Sequence, residues 1–173
     1  MTSRCVRDGL YENLWTVNDW WRFYPDLRRP DRVYQIHRDY NGNHATDPSR
    51  CYADWKDKYN QSGALIVTRR RVKGLVNQQR FDLKRGVSEF GKAFLGSSIG
   101  YMVADAIWAG ADEIVMLGIR LADTDEYENQ VDSIKLNIET ARKRGIAVTN
   151  EFERNWRAVD WSKLAEVRLT YGD

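Results

Sequence analysis

The sequence predicts a three-layer α/β fold with a mostly parallel sheet. Two observations support this: short, continuous apolar runs rich in β-branched residues, and helical patterns that alternate with them along the chain. Short runs without polar alternation are typical of strands buried on both faces, as in a parallel sheet. The 173 residues match the usual size of one domain, so we predict a single domain over residues 1–173.

Five segments have the composition and length of such strands. The run that ends before Gly118 shows the pattern most clearly, because it is wholly apolar after its first residue. In chain order the predicted strands are residues 14–17, 32–36, 64–68, 113–117 and 145–149.

Two helices are predicted between these strands. Ser97 or Ser98 is the expected N-cap of a helix that ends before Gly110, because a serine oxygen accepts a hydrogen bond from a free N–H of the first turn. The apolar residues of this helix recur at the spacing of an amphipathic helix. A longer helix is predicted over residues 125–143, with Gly145 in the position that favours a left-handed C-terminal cap.

Long polar segments separate the predicted elements at residues 38–60 and 69–96. Loops of this length are usually functional or disordered. We therefore predict that they form either a lid over a site at the sheet edge or a dimer surface. Residues 151–173 contain regularly spaced aromatic residues and are predicted to pack on the domain.

Composition excludes several classes of protein. No apolar run approaches the roughly 20 residues of a membrane-spanning helix. Seven tryptophans, nine tyrosines and five phenylalanines exclude a disordered chain. Cys5 and Cys51 lack the spacing of a zinc site and are expected as free thiols in a reducing compartment. Because the first residues also lack the apolar core of a signal peptide, we expect a cytoplasmic protein without a membrane partner.

The charge is unevenly distributed, although the net charge is only +2 and does not indicate general affinity for nucleic acid. Basic residues concentrate in the segment 69–85, which begins with Arg69, Arg70 and Arg71. The planar arginine guanidinium suits phosphate and carboxylate groups. Three interpretations are open for this segment: a phosphate-binding site, contact with a nucleic-acid backbone, or a solvated surface.

The candidate site lies where the predicted strands end, because ligands of parallel α/β sheets bind beyond the carboxyl ends of the strands. Asn18 and Asp19 follow the first strand, and His37 follows the second. His37 is either a general base that titrates near neutral pH or a hydrogen-bonding residue at a strand end. The motifs of serine hydrolases, zincins, P-loop proteins and dinucleotide-binding folds are absent from the sequence.

Two further features suit a phosphorylated ligand. The helix N-terminus at Ser97 and Ser98 offers N–H groups to an anion, although capping alone also explains the serines. Asp123 and Asp125 follow the strand that ends before Gly118. Paired carboxylates there either hold Mg²⁺ or Mn²⁺ or stabilise the N-terminus of the next helix.

The stretch 97–119 resembles a known family. Its serine-led helix, glycine, Glu-Ile pair, strand and Gly-Ile pair are similar to the corresponding segment of the bacterial lipooligosaccharide sialyltransferases. The pattern also resembles Rossmann-like domains related to the 6-hydroxymethylpterin diphosphokinase-like family, and small proteins of bacteriophage genomes. Residues 15–19 are similar to a strand of that family that ends in a nucleotide-contacting asparagine, and residues 32–37 are similar to the next strand.

The resemblance implies a phage-encoded, Rossmann-like protein of the glycosyltransferase type, which binds a nucleotide or nucleotide sugar in the host cytoplasm. Asn18 and either Ser97 or Ser98 would contact the nucleotide, and Gly118 would allow close approach of the backbone. An active enzyme would use His37 or Asp19 as base.

The same assignment also indicates which residues would bind the phosphate of the ligand and any metal ion. The arginines from Arg69 to Arg71 and the helix end at Ser97 and Ser98 would bind phosphate. Asp123 and Asp125 would hold any Mg²⁺ or Mn²⁺.

The chain departs from the family pattern in three places. The expected N-terminal strand and glycine loop are shortened, with Gly9 alone before the first strand. Arg120 stands where the family has aspartate, and no histidine follows His44, so the late catalytic histidine of the sialyltransferases has no counterpart.

Two alternatives to a nucleotide-dependent enzyme therefore remain open. The first is a catalytically degenerate module that acts through protein interaction or self-assembles as a homo-oligomer. It is also favoured by three tryptophans that are predicted to be exposed, Trp20, Trp21 and Trp55. The weaker alternative is nucleic-acid contact through the segment 69–85.

Overall fold

The α/β class is confirmed by the computed structural model. It describes residues 11–18, 20, 29–36, 55–117, 119 and 125–150, and of residues 125–129 only the backbone. These residues belong to two compact units, which divide between Asp82 and Leu83. The first contains a four-stranded parallel sheet, which makes the fold compatible with a three-layer Rossmann-like architecture. The single domain over residues 1–173 stays a prediction.

The four strands of the first unit lie side by side in chain order, and every neighbouring pair is parallel. They are β1 (Trp15–Val17), β2 (Arg32–Gln35), β3 (Leu65–Thr68) and β4 (Gln78–Arg80). Val33 and Tyr34 on β2, and Ile66 and Val67 on β3, are at most 1% exposed. Because consecutive residues of a strand point to opposite faces, both faces of the central strands are covered, as their apolar runs predicted.

Helix α1 (Trp55–Ser62) packs on this sheet. Trp55 and Tyr59 lie one turn apart on the helix and contact each other edge to face, with ring centroids 5.6 Å apart. Both belong to an apolar cluster with residues of β2 and β3: Val33, Trp55, Tyr59, Ala64, Ile66 and Leu75.

The structure corrects the prediction of exposed tryptophans. Trp55 is 5% exposed and is a core residue. The prediction was wrong because Trp55 begins a helix at the end of the segment 38–60, which had been assigned to a polar loop. Trp20 packs against the same cluster and is partly buried. Trp21 lies outside the described residues.

The β3–β4 connection (residues 69–77) is fixed by the side chain of Gln78. Oε1 of Gln78 accepts a hydrogen bond from the N–H of Val72 at 2.8 Å. Nε2 of Gln78 donates to the carbonyl oxygens of Val72 at 2.9 Å and Leu75 at 2.8 Å. The side-chain amide of Gln78 thus pairs with three backbone groups of the connection that take no part in strand pairing.

Two asparagines attach the same connection to its surroundings. Asn60 of α1 donates to the carbonyl of Gly74 at 2.8 Å and accepts from the N–H of Val76 at 2.9 Å. Asn77 donates to the carbonyl of Ala64 at 3.0 Å. These amides thus supply hydrogen bonds to a connection that lacks the crossover helix found between most parallel strands.

The segment 69–96 is not one polar loop, contrary to the prediction. After β4 it contains helix α2 (Leu83–Phe90) and a 3-10 turn (Ala93–Leu95). The sequence pattern missed β4 because all three of its residues are polar and it is fixed by amide hydrogen bonds. It missed α2 because only Gly86 of this helix is buried.

The second unit contains both predicted helices and the last two predicted strands. Its further elements are α3 (Ser98–Trp108), β5 (Glu113–Met116), α4 (Asp125–Lys143) and β6 (Ala147–Asn150). Strands β5 and β6 are parallel neighbours. Gly110 and Gly145 follow α3 and α4 with φ values of 73° and 84°, in the left-handed region that favours glycine at a helix end. None of the helices that the structure describes is long and apolar enough to cross a membrane.

A close backbone contact fixes the start of α3 in this unit. A Cβ atom at Gly100 would lie 2.0 Å from the carbonyl oxygen of Phe94, so only glycine fits there. Helix α4 binds the same turn, because Ser133 Oγ donates to the carbonyl of Ala93 at 2.8 Å and Asn137 Nδ2 donates to that of Phe94 at 2.7 Å.

Glu89 connects α2, α3 and the end of α4 on the surface of the second unit. Its Oε1 accepts from Arg144 at 2.7 Å, and its Oε2 accepts from the indole N–H of Trp108 at 2.8 Å. Arg85 lies 3.5 Å from the same carboxylate and stacks over the Trp108 ring. The hydrogen bond from Arg144, followed by that from Trp108, lowers the pKa of Glu89 below 4.5.

We predict that Glu89→Gln lowers the free energy of unfolding at pH 7 by about 0.5–1 kcal/mol, the size expected of a partly exposed ion pair. A carboxyl with a lowered pKa in the folded state stabilises above its unfolded pKa, and this contribution is lost as the pH falls through the folded value. The difference between wild type and variant should therefore shrink below pH 4.5.

Denaturant unfolding of both proteins between pH 7 and pH 3 measures this difference. Glu113→Gln, which changes an exposed glutamate on β5, is the control. A difference that stays constant down to pH 3 would contradict the assigned pKa direction.

Candidate functional site

A row of polar side chains crosses the carboxyl end of the four-stranded sheet. Gln35, the last residue of β2, is in register with Thr68, the last residue of β3, and Thr68 is in register with Arg80 of β4. Asn18 follows β1 directly, and its N–H donates to the carbonyl of Tyr34 at 3.2 Å. In-register neighbours of a parallel sheet point to the same face, so Gln35, Thr68 and Arg80 share one face.

The two central residues of the row are buried, and the row is incompletely hydrogen-bonded. Gln35 is 3% exposed and Thr68 is 2% exposed. Nε2 of Gln35 donates to the hydroxyl of Tyr59 at 3.2 Å. Three oxygens, Asn18 Oδ1, Gln35 Oε1 and Thr68 Oγ1, have no hydrogen-bond partner in the described part of the chain. An unpaired buried polar group costs about 1–3 kcal/mol, so the row is an unfavourable arrangement for folding alone.

Asn18 is where the sequence predicted it, at the carboxyl end of β1. Its φ of 48° lies in the left-handed region, the only such value for a non-glycine residue among those described. Asparagine tolerates that conformation better than most residues, because its short polar side chain adapts to it. The chain therefore turns at the strand end while it keeps an amide side chain beside the polar row.

The arginines that were predicted to bind phosphate begin at the same edge. Arg69 follows Thr68 directly and is half-buried, whereas Arg70 and Arg71 are exposed. All three stand on the β3–β4 connection, whose backbone is held by the amides of Gln78 and Asn60. The structure therefore places this basic segment directly after the polar row, on a connection in which Val72, Gly74 and Val76 are held by side-chain amides.

Ser97 acts as a helix cap. It is 2% exposed and has an extended backbone, and its Oγ accepts from the N–H of Gly100 at 3.4 Å. Ser98 is the first residue of α3 and is half-buried. Capping therefore accounts for the Ser97 hydroxyl, and a phosphate contact of Ser97 or Ser98 stays a prediction.

Other predicted site residues fall outside the description. His37, Asp19, Gly118 and Asp123 are not among the described residues. Asp125 begins α4, and its side chain is likewise outside the description. Among the described residues, no three histidine, cysteine, aspartate or glutamate side chains are grouped as a metal site.

A buried ion pair in the second unit was missed by the sequence analysis. Lys135 Nζ lies 3.8 Å from Oδ1 of Asp132 one turn earlier on α4, and the two side chains are 4% and 0% exposed. Four polar residues of α4 are buried: Asp132, Ser133, Lys135 and Asn137. A pattern of apolar spacing has no signal for them.

Lys135→Met should destabilise the protein by about 3–5 kcal/mol, because it leaves the carboxylate of Asp132 buried without its cation. The double change Asp132→Asn with Lys135→Met should recover most of that loss, since no buried charge is then left without its partner. Denaturant unfolding measures both effects, with the exposed Lys143→Met as control. A loss below 1 kcal/mol for Lys135→Met would contradict the role of this pair.

Comparisons with known proteins add no assignment to this geometry. Neither the protein-family models nor the curated proteins nor the solved structures gave a match. The candidate site is therefore defined by its own residues: the polar row at the sheet edge and the arginines that follow it.

Proposed function

We propose that this protein binds a nucleotide or nucleotide sugar at the carboxyl edge of its four-stranded sheet and belongs functionally with glycosyltransferases. The observation that carries the proposal is the row of Asn18, Gln35 and Thr68. It places three unpaired buried oxygens at the edge where parallel α/β sheets bind their ligands. A ligand that supplies the missing hydrogen bonds would stabilise the row.

The charge distribution supports a phosphorylated ligand. Arg70 and Arg71 are exposed and stand two and three residues after Thr68. Guanidinium groups form paired hydrogen bonds with phosphate oxygens. A phosphate would match the arginines, and neutral polar groups would match the row of Asn18, Gln35 and Thr68. Nucleotides combine both kinds of group.

The transfer reaction would use residues that follow the same strands. Asp19 stands beside Asn18, and His37 follows β2 after Ile36. One of them would take the proton from an acceptor hydroxyl as its oxygen forms a bond to the anomeric carbon of the donor sugar. The bond from that carbon to the nucleotide phosphate breaks, and the phosphate leaves with the electron pair.

The charge of the leaving phosphate would be stabilised by the arginines after β3, since charge that develops in the transition state is where fixed cations act most. That Asp123 and Asp125 hold Mg²⁺ or Mn²⁺ stays a prediction.

A thermal-shift screen tests the proposed ligand class. Nucleoside mono- and diphosphates and nucleotide sugars, with and without Mn²⁺, should include at least one that raises the unfolding temperature. A ligand at 100 times its dissociation constant adds about 2.7 kcal/mol to the free energy of unfolding. Silence across the whole panel would overturn the proposal.

Asn18→Gly is the matched variant for this screen. Glycine adopts the φ of 48° without strain, so the backbone stays in place while the amide is lost. We expect affinity for the selected ligand to fall by about tenfold, equivalent to 1.4 kcal/mol. Unchanged affinity would remove Asn18 from the site.

The double change Arg70→Gln and Arg71→Gln should weaken a nucleoside diphosphate by about 100-fold, because each charge-assisted hydrogen bond contributes about 1.5 kcal/mol or more. The corresponding nucleoside, which has no phosphate, should bind both proteins equally. Isothermal titration measures these affinities, with the exposed Lys58→Gln on α1 as control. Equal losses for nucleoside and diphosphate would contradict phosphate binding by these arginines.

A further inference from the structure

Gln35 and Thr68 take no part in the transfer reaction described above, and the structure assigns them a specific role in binding. We infer that they determine ligand specificity, by hydrogen bonding to a neutral donor group of the bound molecule, a sugar hydroxyl or a base amino group adjacent to its phosphate. This inference rests on the proposed nucleotide-binding function and adds to it the part of the ligand that the polar row recognises.

The position of the two residues within the sheet is the first argument. Two residues earlier on the same strands and on the same face stand Val33 and Ile66, which belong to the apolar cluster under α1. The side chains on this face of β2 and β3 therefore change from apolar to polar only at the carboxyl end. The hydrogen bond from Gln35 to Tyr59 shows that the Gln35 side chain is on the side of α1.

Folding alone does not explain a threonine at position 68. Valine has nearly the same shape and would continue the apolar surface of Ile66 without a polar atom. Thr68 is instead 2% exposed with Oγ1 unpaired among the described residues, which is a cost to the folded state. A group that destabilises the protein in the absence of ligand and lies at a binding edge is expected to be used by the ligand.

The hydrogen-bonding capacity of the row limits what it binds. Nε2 of Gln35 donates one of its two N–H groups to Tyr59, whereas Oε1 of Gln35, which only accepts, has no partner among the described residues. Asn18 Oδ1 likewise only accepts, whereas the hydroxyl of Thr68 both accepts and donates. A doubly ionised phosphate has only hydrogen-bond acceptors. It therefore cannot form hydrogen bonds with the acceptor oxygens of Gln35 and Asn18. Hydroxyl and amino groups supply the donors that the row lacks.

Thr16 provides an internal control. It is in register with Val33, one row deeper in the sheet than Gln35, and its Oγ1 is also buried without a hydrogen-bond partner in the described residues. Thr16 and Thr68 thus share their chemistry and differ in their distance from the carboxyl edge. A ligand at that edge meets Thr68 and not Thr16.

The experiment compares Thr68→Val, Thr68→Ser and Thr16→Val by thermal unfolding without ligand and by calorimetric titration. The probes are AMP, GMP, CMP and UMP, each also as the 2′,3′-dideoxy compound. Thr68→Val should unfold a few degrees higher than wild type and bind its preferred nucleotide at least tenfold more weakly. Thr68→Ser should unfold at a lower temperature and keep its affinity within threefold.

Thr16→Val should also unfold at a higher temperature, but its affinity should stay within twofold of wild type. Gln35→Met, which keeps the length of the side chain and removes the amide, should lose affinity like Thr68→Val. If the dideoxy compound binds wild type more weakly than the ribonucleotide, the donor group is a sugar hydroxyl. If it binds equally, the donor is the base amino group.

Three outcomes would overturn the inference, and they differ in what they leave standing. Nucleotide binding by wild type with equal affinity in Thr68→Val and Gln35→Met removes the specificity role and leaves the proposed function intact. No nucleotide binding by wild type removes both. An equal loss of affinity in Thr16→Val and Thr68→Val would also overturn it, since the effect would then not depend on position at the edge.

Discussion

The pairing of β3 with β4 depends on the amide of Gln78. Parallel strands normally require a crossover of about a dozen residues or more, and usually a helix, before the chain can return in the same direction. The connection 69–77 has neither, and that amide makes three hydrogen bonds to its backbone. Asn60 and Asn77 make further hydrogen bonds to the same connection or from it. The course of the segment that contains Arg69, Arg70 and Arg71 therefore depends on side-chain amides, and most of all on that of Gln78.

The fold could be predicted from the sequence where burial decides the structure. The central residues of β2 and β3 are apolar and buried, and this is why their runs could be recognised. The ends of α3 could be recognised from Ser97 before it and Gly110 after it. β4 could not be predicted, since its three polar residues are held by side-chain amides and not by burial. The same limit applied to α4, where Asp132 and Lys135 are buried as an ion pair that apolar spacing does not reveal.

The candidate site was predicted only where a residue stands outside a strand. Asn18 was found because it follows β1, and the arginines were found because their charge is dense. Gln35 was missed because it was assigned to the interior of the predicted strand 32–36. A sequence does not show that the side chains of Gln35 and Thr68 lie on one face without partners. Register and hydrogen-bond completeness are properties of the assembled sheet, and they identify this row.

The way the β3–β4 connection is held has a consequence for how the protein can evolve. Insertions and deletions usually accumulate in loops whose backbone faces solvent. Here an added or removed residue would shift Gly74 and Val76 out of reach of Asn60. The exposed arginines can be exchanged one by one without disturbing this frame. Related sequences should therefore differ in the exposed side chains of the β3–β4 connection, while the number of residues in the connection stays constant.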